Sequence, residues 1–145
     1  MLEPIFDIHQ GIVLEGTVEI HKPPKRWSGA GIYIELEQTG EPHEGIVIMA
    51  QTRGCTEVMT LKYRTAFLND KGAVTRVFRA EIGAEQGKKH RFRLLLRRTM
   101  TEFYLDDLLV QCYSLPGEPT GRIGIALESG RAVFENLRAW QMNIQ

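Results

Sequence analysis

The chain has 145 residues, of which 43% are hydrophobic and 25% are charged, and these values are typical of one globular domain. They exclude a disordered chain, a collagen-like fibre and a coiled-coil rod. The 18 basic residues balance the 18 acidic residues, and the resulting zero net charge argues against a dedicated nucleic-acid-binding protein.

The N-terminal sequence MLEPIFDIHQG lacks both the basic start and the apolar run of a secretory signal. No apolar run anywhere is long enough for a transmembrane helix. We therefore expect a chain that is cytoplasmic or part of a larger protein and that has no membrane partner.

Short segments in which every second residue is apolar follow one another along the chain. In the first clear example, Ile12, Leu14 and Val18 alternate with mostly polar residues, the pattern of a strand with one buried face. No helical period extends over eleven or more residues, so we expect less than about 10% helix. The predicted strands lie near residues 5–9, 12–21, 30–38, 45–51, 57–63, 74–82, 90–97, 101–106, 108–114, 122–128 and 132–142.

Turn-forming residues separate these segments. Residues 69–72 (NDKG) and 128–131 (ESGR) predict hairpins, whereas residues 81–89 and 115–121 predict longer connections. This spacing favours an all-β fold in which two antiparallel sheets pack face to face, in a single domain that spans residues 1–145. The predicted core comprises Phe92, Leu94, Leu96, Phe103, Leu105, Ile123, Ile125, Phe134 and Leu137.

The second half of the chain also carries an ordered set of motifs. They are HRFRLLLR at 90–97, FYLDD at 103–107, TGRIGI at 120–125 and AVFENLRAW at 132–140. In this order they resemble the end of concanavalin A-like β-sandwich (jelly roll) modules, and most of all the C-terminal module of invertase- and levanase-type glycoside hydrolases. Residues 6–19 and 28–33 are similar to the first strands of that module, so the resemblance covers nearly the whole chain.

The resemblance implies a non-catalytic module. In those enzymes the catalytic acid and nucleophile lie in a separate propeller domain, for which this chain has no room. The chain would then be an accessory or carbohydrate-binding module, whose partner is a carbohydrate or a neighbouring catalytic domain. A purely structural, domain-docking module is an alternative. We expect no cofactor and no obligatory metal, because no segment has metal-ligand spacing.

An enzyme is the other alternative. Glu35 and Glu37 place two carboxylates on one strand face, about 7 Å apart, a separation compatible with a glycosidase. Laminarinase-type sandwich enzymes carry an E-x-D-x-x-E motif on one strand. The matching positions here are Glu35, Glu37 and Gly40, so the Asp and the final Glu are absent, and a solvated strand face is the simpler interpretation.

A sugar site would combine aromatic rings with arginines and carboxylates. Tyr33, Glu35, Gln51 and Arg53 have the parity opposite to the core residues of their strands, so they would share one outward face if those strands are neighbours. Trp27 follows a di-proline loop and is expected at the rim. The predicted carbohydrate-binding residues are therefore Trp27, Tyr33, Glu35, Gln51 and Arg53. Other candidate aromatic residues are Tyr63, Tyr104, Tyr113 and Trp140, the last of which could face a neighbouring domain.

Two further groups have simpler interpretations. A basic cluster at residues 88–98 could bind phosphate or an acidic polysaccharide, but cross-strand ion pairs to Glu102 and to the turn at Asp106 and Asp107 are the simpler explanation. The two aspartates themselves predict a β-turn rather than an acid/base pair. Cys55 and Cys112 are expected to be buried thiols.

Overall fold

In the computed structural model of the chain, strands account for nearly all of the residues that the structure describes. These residues are 11–21, 28–36, 44–52, 60–68, 74–85, 87–115 and 118–141. They contain no helix, and hence none that could cross a membrane. The strands are β1 (Ile12–His21), β2 (Ser28–Leu36), β3 (Glu44–Thr52), β4 (Thr60–Leu68), β5 (Val74–Glu85), β6 (Lys89–Arg97), β7 (Met100–Leu105), β8 (Leu108–Ser114), β9 (Pro119–Ser129) and β10 (Arg131–Gln141).

The strands form two antiparallel sheets, as the sequence predicts. One sheet has the order β10-β1-β6-β7-β8 and is called the β1 sheet below. The other has the order β5-β4-β3-β2-β9 and is called the β2 sheet. The strands β6, β7 and β8 are consecutive neighbours and form a meander. The all-β, two-sheet architecture is therefore confirmed.

The core lies between the sheets because alternate residues of each strand point inward. In β6 every second residue from His90 to Leu96 is buried, while Arg91, Arg93 and Arg97 are exposed. Phe92 is central, with its ring centroid 6.4 Å from that of Phe103 and 6.0 Å from that of Phe134. The predicted core residues Phe92, Leu94, Leu96, Phe103, Leu105 and Ile123 are buried together, and Phe134 and Leu137 are partly buried against them.

Ile125 is the incorrect member of the predicted core, since 41% of it is exposed. It pairs with the buried Ile32 and has the parity of the buried Ile123. However, β9 is an edge strand, and Leu127 on the same strand is exposed as well. Period-two alternation identifies the face on which a residue lies, but it does not identify the strand's place in the sheet.

The predicted hairpin at residues 128–131 is also wrong. β9 pairs with β2 and β10 pairs with β1, so the chain crosses from one sheet to the other at this point. Gly130, with a φ of 82°, is the single residue between the two strands. One residue is too short for the two-residue loop of a tight hairpin, and glycine accommodates the left-handed corner instead.

Several predicted boundaries differ from those observed. β4 continues to Leu68 rather than ending near residue 63, and β5 continues past a ladder irregularity to Glu85. β9 begins at Pro119, where proline is tolerated because it is the first residue of an edge strand. The predicted strand near 5–9 and the turn at 69–72 lie outside the described residues.

Cys112 is exposed, contrary to the prediction of a buried thiol, because it lies on the outer face of the edge strand β8 opposite Glu102. Cys55 lies outside the described residues.

The inward parity of β6 predicts a large difference between adjacent leucines. Leu94→Ala should lower the free energy of unfolding by about 2–5 kcal/mol, because the buried side chain leaves a cavity. Leu95→Ala, on the outer face, should cost clearly less. Urea unfolding of both variants measures the difference, and equal losses would show that the strand parity is inverted.

Candidate functional site

The outer face of the β1 sheet carries a cleft of about 310 Å³. This volume lies at the lower end of the range of about 300–1,000 Å³ that is usual for ligand pockets. Strands β1, β6, β7 and β10 and the turn after β7 contribute to it. The lining residues are Glu15, Gly16, Thr17, Arg91, Phe92, Arg93, Tyr104, Asp107, Asn136 and Arg138.

Four of these side chains form a row across four strands. Arg138 pairs with Glu15, Glu15 with Arg93, and Arg93 with Tyr104 in the antiparallel ladders. Directly paired residues project from the same face of a sheet. The registers therefore place two guanidinium groups, one carboxylate and one phenol side by side on the outer surface.

Ion pairs organise the charged residues. Glu15 lies between two arginines, with Oε2 at 3.5 Å from Arg93 Nε and Oε1 at 3.8 Å from Arg138 Nη1. At the other end of the cleft, Arg91 Nη2 donates a 2.5 Å hydrogen bond to Asp107 Oδ2. The ion pair expected between the basic cluster and the Asp106–Asp107 turn is thus present at Asp107.

One aromatic side chain, Tyr104, belongs to this row, and a second, Trp140, lies beside it. The Tyr104 hydroxyl donates a 2.6 Å hydrogen bond to Glu102 Oε2. This bond, followed by burial and by the charge of Glu102, raises the pKa of Tyr104, so the phenol keeps its proton. Trp140 is exposed at the next rung, and Arg138 Cζ lies 5.6 Å from the centre of its ring. An apolar ring surface therefore borders the charged row.

A β-bulge in β10 shapes the floor of the cleft. The register with β1 shifts between Glu15 and Thr17, and Asn136 adopts a φ of 55° there. A Cβ atom on Gly16 would lie 2.8 Å from Leu137 Cδ2 and 3.0 Å from the Glu135 carbonyl oxygen. Glycine at position 16 thus lets Leu137 reach the core.

The bulge also changes the parity of β10. Before the bulge the odd-numbered Glu135 takes the outward position, and after it the even-numbered Arg138 does. For this reason Phe134 and Leu137, which differ in parity, both pack against the core.

Hydrogen bonds among Asp106, His90 and the backbone, called the lock below, hold the turn beside the cleft. Asp106 and Asp107 have φ values of 49° and 67°, which identify a two-residue type I′ hairpin and confirm the predicted turn. Asp106 Oδ2 accepts a 2.6 Å hydrogen bond from His90 Nδ1, and its Oδ1 accepts one of 2.9 Å from the Arg91 amide. The buried His90 in turn accepts a 2.9 Å hydrogen bond at Nε2 from the Glu85 amide. Accepting at Nε2 assigns the ring proton to Nδ1.

The lock also determines the charge of Asp106. Partial burial acts to raise the pKa of Asp106, but the hydrogen bonds from His90 and from the Arg91 amide, together with the nearby positive charge of Lys88, outweigh it. The pKa of Asp106 is therefore lowered, and the carboxylate form is favoured.

The structure brings only some of the predicted sugar-site residues together. Tyr33 and Glu35 both lie on β2, on the outer face of the β2 sheet, and the predicted adjacency of β2 and β3 is correct. Burial, followed by the charge of Glu35, raises the pKa of Tyr33. Gln51 pairs with Gly29, four residues along β2 from Tyr33. Trp27 and Arg53 lie outside the described residues, so this predicted site stays a prediction.

The cleft is on the other sheet, and sequence reasoning missed five of its residues, which are Glu15, Gly16, Thr17, Asn136 and Arg138. Charged residues at the non-core positions of β1, β6 and β10 were the available signal, but only the ladder registers show that they meet. Within the part of the chain that the structure describes, no group of three His, Cys, Asp or Glu side chains is arranged to hold a metal ion.

No protein-family model matches the sequence, and no curated protein matches it. The chain is structurally similar to sheep galectin-11 in complex with glycerol, with a TM-score of 0.59, 7% identity and 90% of each chain covered. It is also similar to the carbohydrate binding module CBM66 from Bacillus subtilis, with a TM-score of 0.60 and 18% identity over 90% of this chain and 74% of that one. A third similar structure is the PL7 alginate lyase AlyA1 from Zobellia galactanivorans, with a TM-score of 0.63 and 10% identity over 91% and 62% of the two chains.

These proteins have concanavalin A-like β-sandwich folds, so the broad resemblance seen in the sequence is confirmed. The narrower resemblance to the invertase- and levanase-type module stays a prediction.

Adding one methyl group at the floor of the cleft should destabilise the fold. Gly16→Ala should cost about 1–3 kcal/mol, because the new Cβ atom meets Leu137 and a backbone oxygen that cannot move away. Thermal or urea unfolding measures the loss. In the double variant with Leu137→Ala the two losses should be less than additive, since the shorter side chain frees space. Strict additivity would show that Leu137 is not the obstacle.

The lock around His90 predicts a pH-dependent contribution to stability. Asp106→Asn keeps a residue that tolerates positive φ but removes the charge. It should lower the free energy of unfolding by about 1–2 kcal/mol near pH 7. The loss is moderate because the carboxylate is 40% exposed, so water replaces part of the lost interaction. The lowered pKa means that this contribution is present above about pH 4, the unfolded value, and is lost as the pH falls through the folded value. Stability of the variant should therefore fall less steeply than that of the wild type in acid.

Asp107→Asn is the matched control in the same turn. Its exposed ion pair with Arg91 should contribute about 0–1 kcal/mol. Urea unfolding between pH 7 and pH 3 compares the three proteins. Equal behaviour of the two variants would contradict the assignment of the lock to Asp106.

Proposed function

We propose that this chain is a non-catalytic carbohydrate-binding module and that the cleft on the β1 sheet is its binding site. The observation that carries the proposal is the row of Arg138, Glu15, Arg93 and Tyr104 inside a concave surface. The similarity of the fold to galectins and to a carbohydrate-binding module supports the same conclusion.

The chemistry of the cleft suits sugar hydroxyl groups, each of which both donates and accepts hydrogen bonds. Guanidinium groups of Arg93 and Arg138 donate, the carboxylates of Glu15 and Asp107 accept, and the amide of Asn136 does both. An open site of this kind buries little surface and must offset the entropy of association. We therefore expect dissociation constants in the millimolar to micromolar range.

The carboxylates of the cleft favour binding over catalysis. A glycosidase needs one carboxyl group that holds a proton in a desolvated site and a second carboxylate facing it. In this cleft Glu15 is placed between two arginines, and Asp107 is largely exposed and paired with Arg91. Both carboxylates are thus placed as acceptors for ligand hydroxyl groups or as partners that orient arginine side chains.

The order of the sequence motifs supports a finer proposal, that the module accompanies a glycoside hydrolase. In that setting a catalytic domain would be the second partner, beside the carbohydrate. The face that carries Tyr33 and Glu35 is the alternative binding site. It is also the site of the alternative glycosidase, in which Glu35 would act with Glu37, a residue outside the described part of the chain.

Substitution of one arginine tests the cleft directly. Arg93→Ala should weaken binding of an oligosaccharide about tenfold or more, because it removes a charged donor from the centre of the row. Isothermal titration calorimetry against fructan, glucan, xylan and galacturonan oligosaccharides measures this loss. The melting temperature should change little, since half of the Arg93 side chain is exposed.

Two further variants separate the possible sites. Arg97→Ala changes the same residue type on the same face of β6, about 13 Å away, and should leave binding unchanged. Tyr33→Ala tests the opposite sheet and should also have no effect. Loss of binding in Tyr33→Ala with normal binding in Arg93→Ala would move the site to the β2 sheet. Absence of binding by the wild type across the whole panel would favour the structural, domain-docking module.

A further inference from the structure

The depth of the charged groups in the cleft is uneven. The Glu15 side chain is 26% exposed, whereas those of Arg93 and Arg138 are 50% and 72% exposed. The carboxylate therefore lies below the two guanidinium groups that pair with it. At this end of the cleft, a ligand that enters from solvent meets positive charge first, whereas at the other end Asp107 and Arg91 are exposed to a similar extent.

The charges are also unbalanced in number. Three guanidinium groups and two carboxylates line the cleft. The Asp107 carboxylate forms an ion pair with Arg91, and the single carboxylate of Glu15 is shared by Arg93 and Arg138. The neighbouring pair Lys89 and Glu135 is balanced, with Nζ and Oε2 at 3.4 Å, and leaves the excess charge in place. The side chains that line the cleft therefore carry one more positive than negative charge. Glu102, which is outside the lining, accepts the hydrogen bond of the Tyr104 hydroxyl.

The pairing of Glu15 is loose as well as shared. Its contacts of 3.5 and 3.8 Å exceed the 2.7–2.9 Å of a charge-assisted hydrogen bond. Arg93 uses Nε in this contact, so its two terminal nitrogens are not the atoms that pair with Glu15. These terminal nitrogens form the planar fork that matches a carboxylate with two parallel hydrogen bonds.

From these observations we infer that the cleft binds acidic sugars, and that the carboxylate of a uronic acid residue pairs with Arg93 and Arg138. This inference rests on the proposed function and names the ligand class for the same site. A neutral sugar would offer only hydroxyl groups to the two guanidiniums, and neutral acceptors form weaker hydrogen bonds than ionised ones. Glu15 keeps the role of orienting both arginines from below.

A matched pair of ligands tests the charge alone. A short oligogalacturonate and its fully methyl-esterified form have the same sugar rings and linkages, but the ester carries no charge. The full chain should bind the acid about tenfold more tightly than the ester at pH 7 and about 0.01 M salt, as measured by calorimetry. At about 1 M salt, where the screening length falls to about 3 Å, this ratio should be clearly smaller.

A pair of variants places the effect in the cleft. Arg138→Gln should reduce the preference for the acid severalfold, whereas Arg97→Gln, which removes the same charge outside the cleft, should preserve it. Both side chains are exposed, so both variants should fold, and circular dichroism checks this.

The outcomes separate this inference from the proposed function. Equal binding of acid and ester, or cleft-dependent binding of neutral glycans alone, overturns the acidic specificity and leaves the carbohydrate-binding proposal standing. A preference for the acid that Arg138→Gln does not change also overturns the assignment to this cleft. Absence of binding to every glycan overturns both.

Discussion

The cleft depends on the alternation of side chains in β1 and β6. These central strands of the β1 sheet bury Ile12, Leu14, Phe92 and Leu94 on one face and carry the charged cleft residues on the other. Because successive residues of a strand point to opposite faces, a shift of one residue in register would exchange the two sets. The apolar core that fixes the register therefore also fixes which arginines and carboxylates meet, so the stability of the fold and the geometry of the cleft depend on the same strand pairing.

The bulge in β10 is the one departure from this alternation that the cleft requires. Asn136 takes up the extra residue in a left-handed conformation, so Leu137 turns inward above Gly16 and Arg138 turns outward beside Glu15. Without it, the parity of Glu135 would continue and Arg138 would point into the apolar core. The glycine in β1 and the bulge in β10 are thus complementary, since each would be costly without the other.

Local chemistry was enough to predict the all-β architecture, most of the core and the Asp106–Asp107 turn, because each depends on alternation or on tolerance of positive φ. Local chemistry does not identify edge strands, and for this reason the prediction that Ile125 is buried is wrong. It also does not distinguish a hairpin from a crossing between the two sheets at Gly130. The cleft could not be predicted from local chemistry for a related reason. Glu15 and Arg138 are more than 120 residues apart in sequence, and the pairing of β1 with β10 that joins them is a long-range contact.

Ligands are proposed to bind on the outer face of the β1 sheet. The most direct test is an NMR titration, in which amide shifts of the ¹⁵N-labelled chain are followed as an oligogalacturonate is added. The largest changes should fall on cleft residues of β1, β6 and β10, such as Thr17, Arg93 and Asn136, and β2 should be little affected. Changes centred on Tyr33 and Glu35, with the β1 sheet unperturbed, would contradict it.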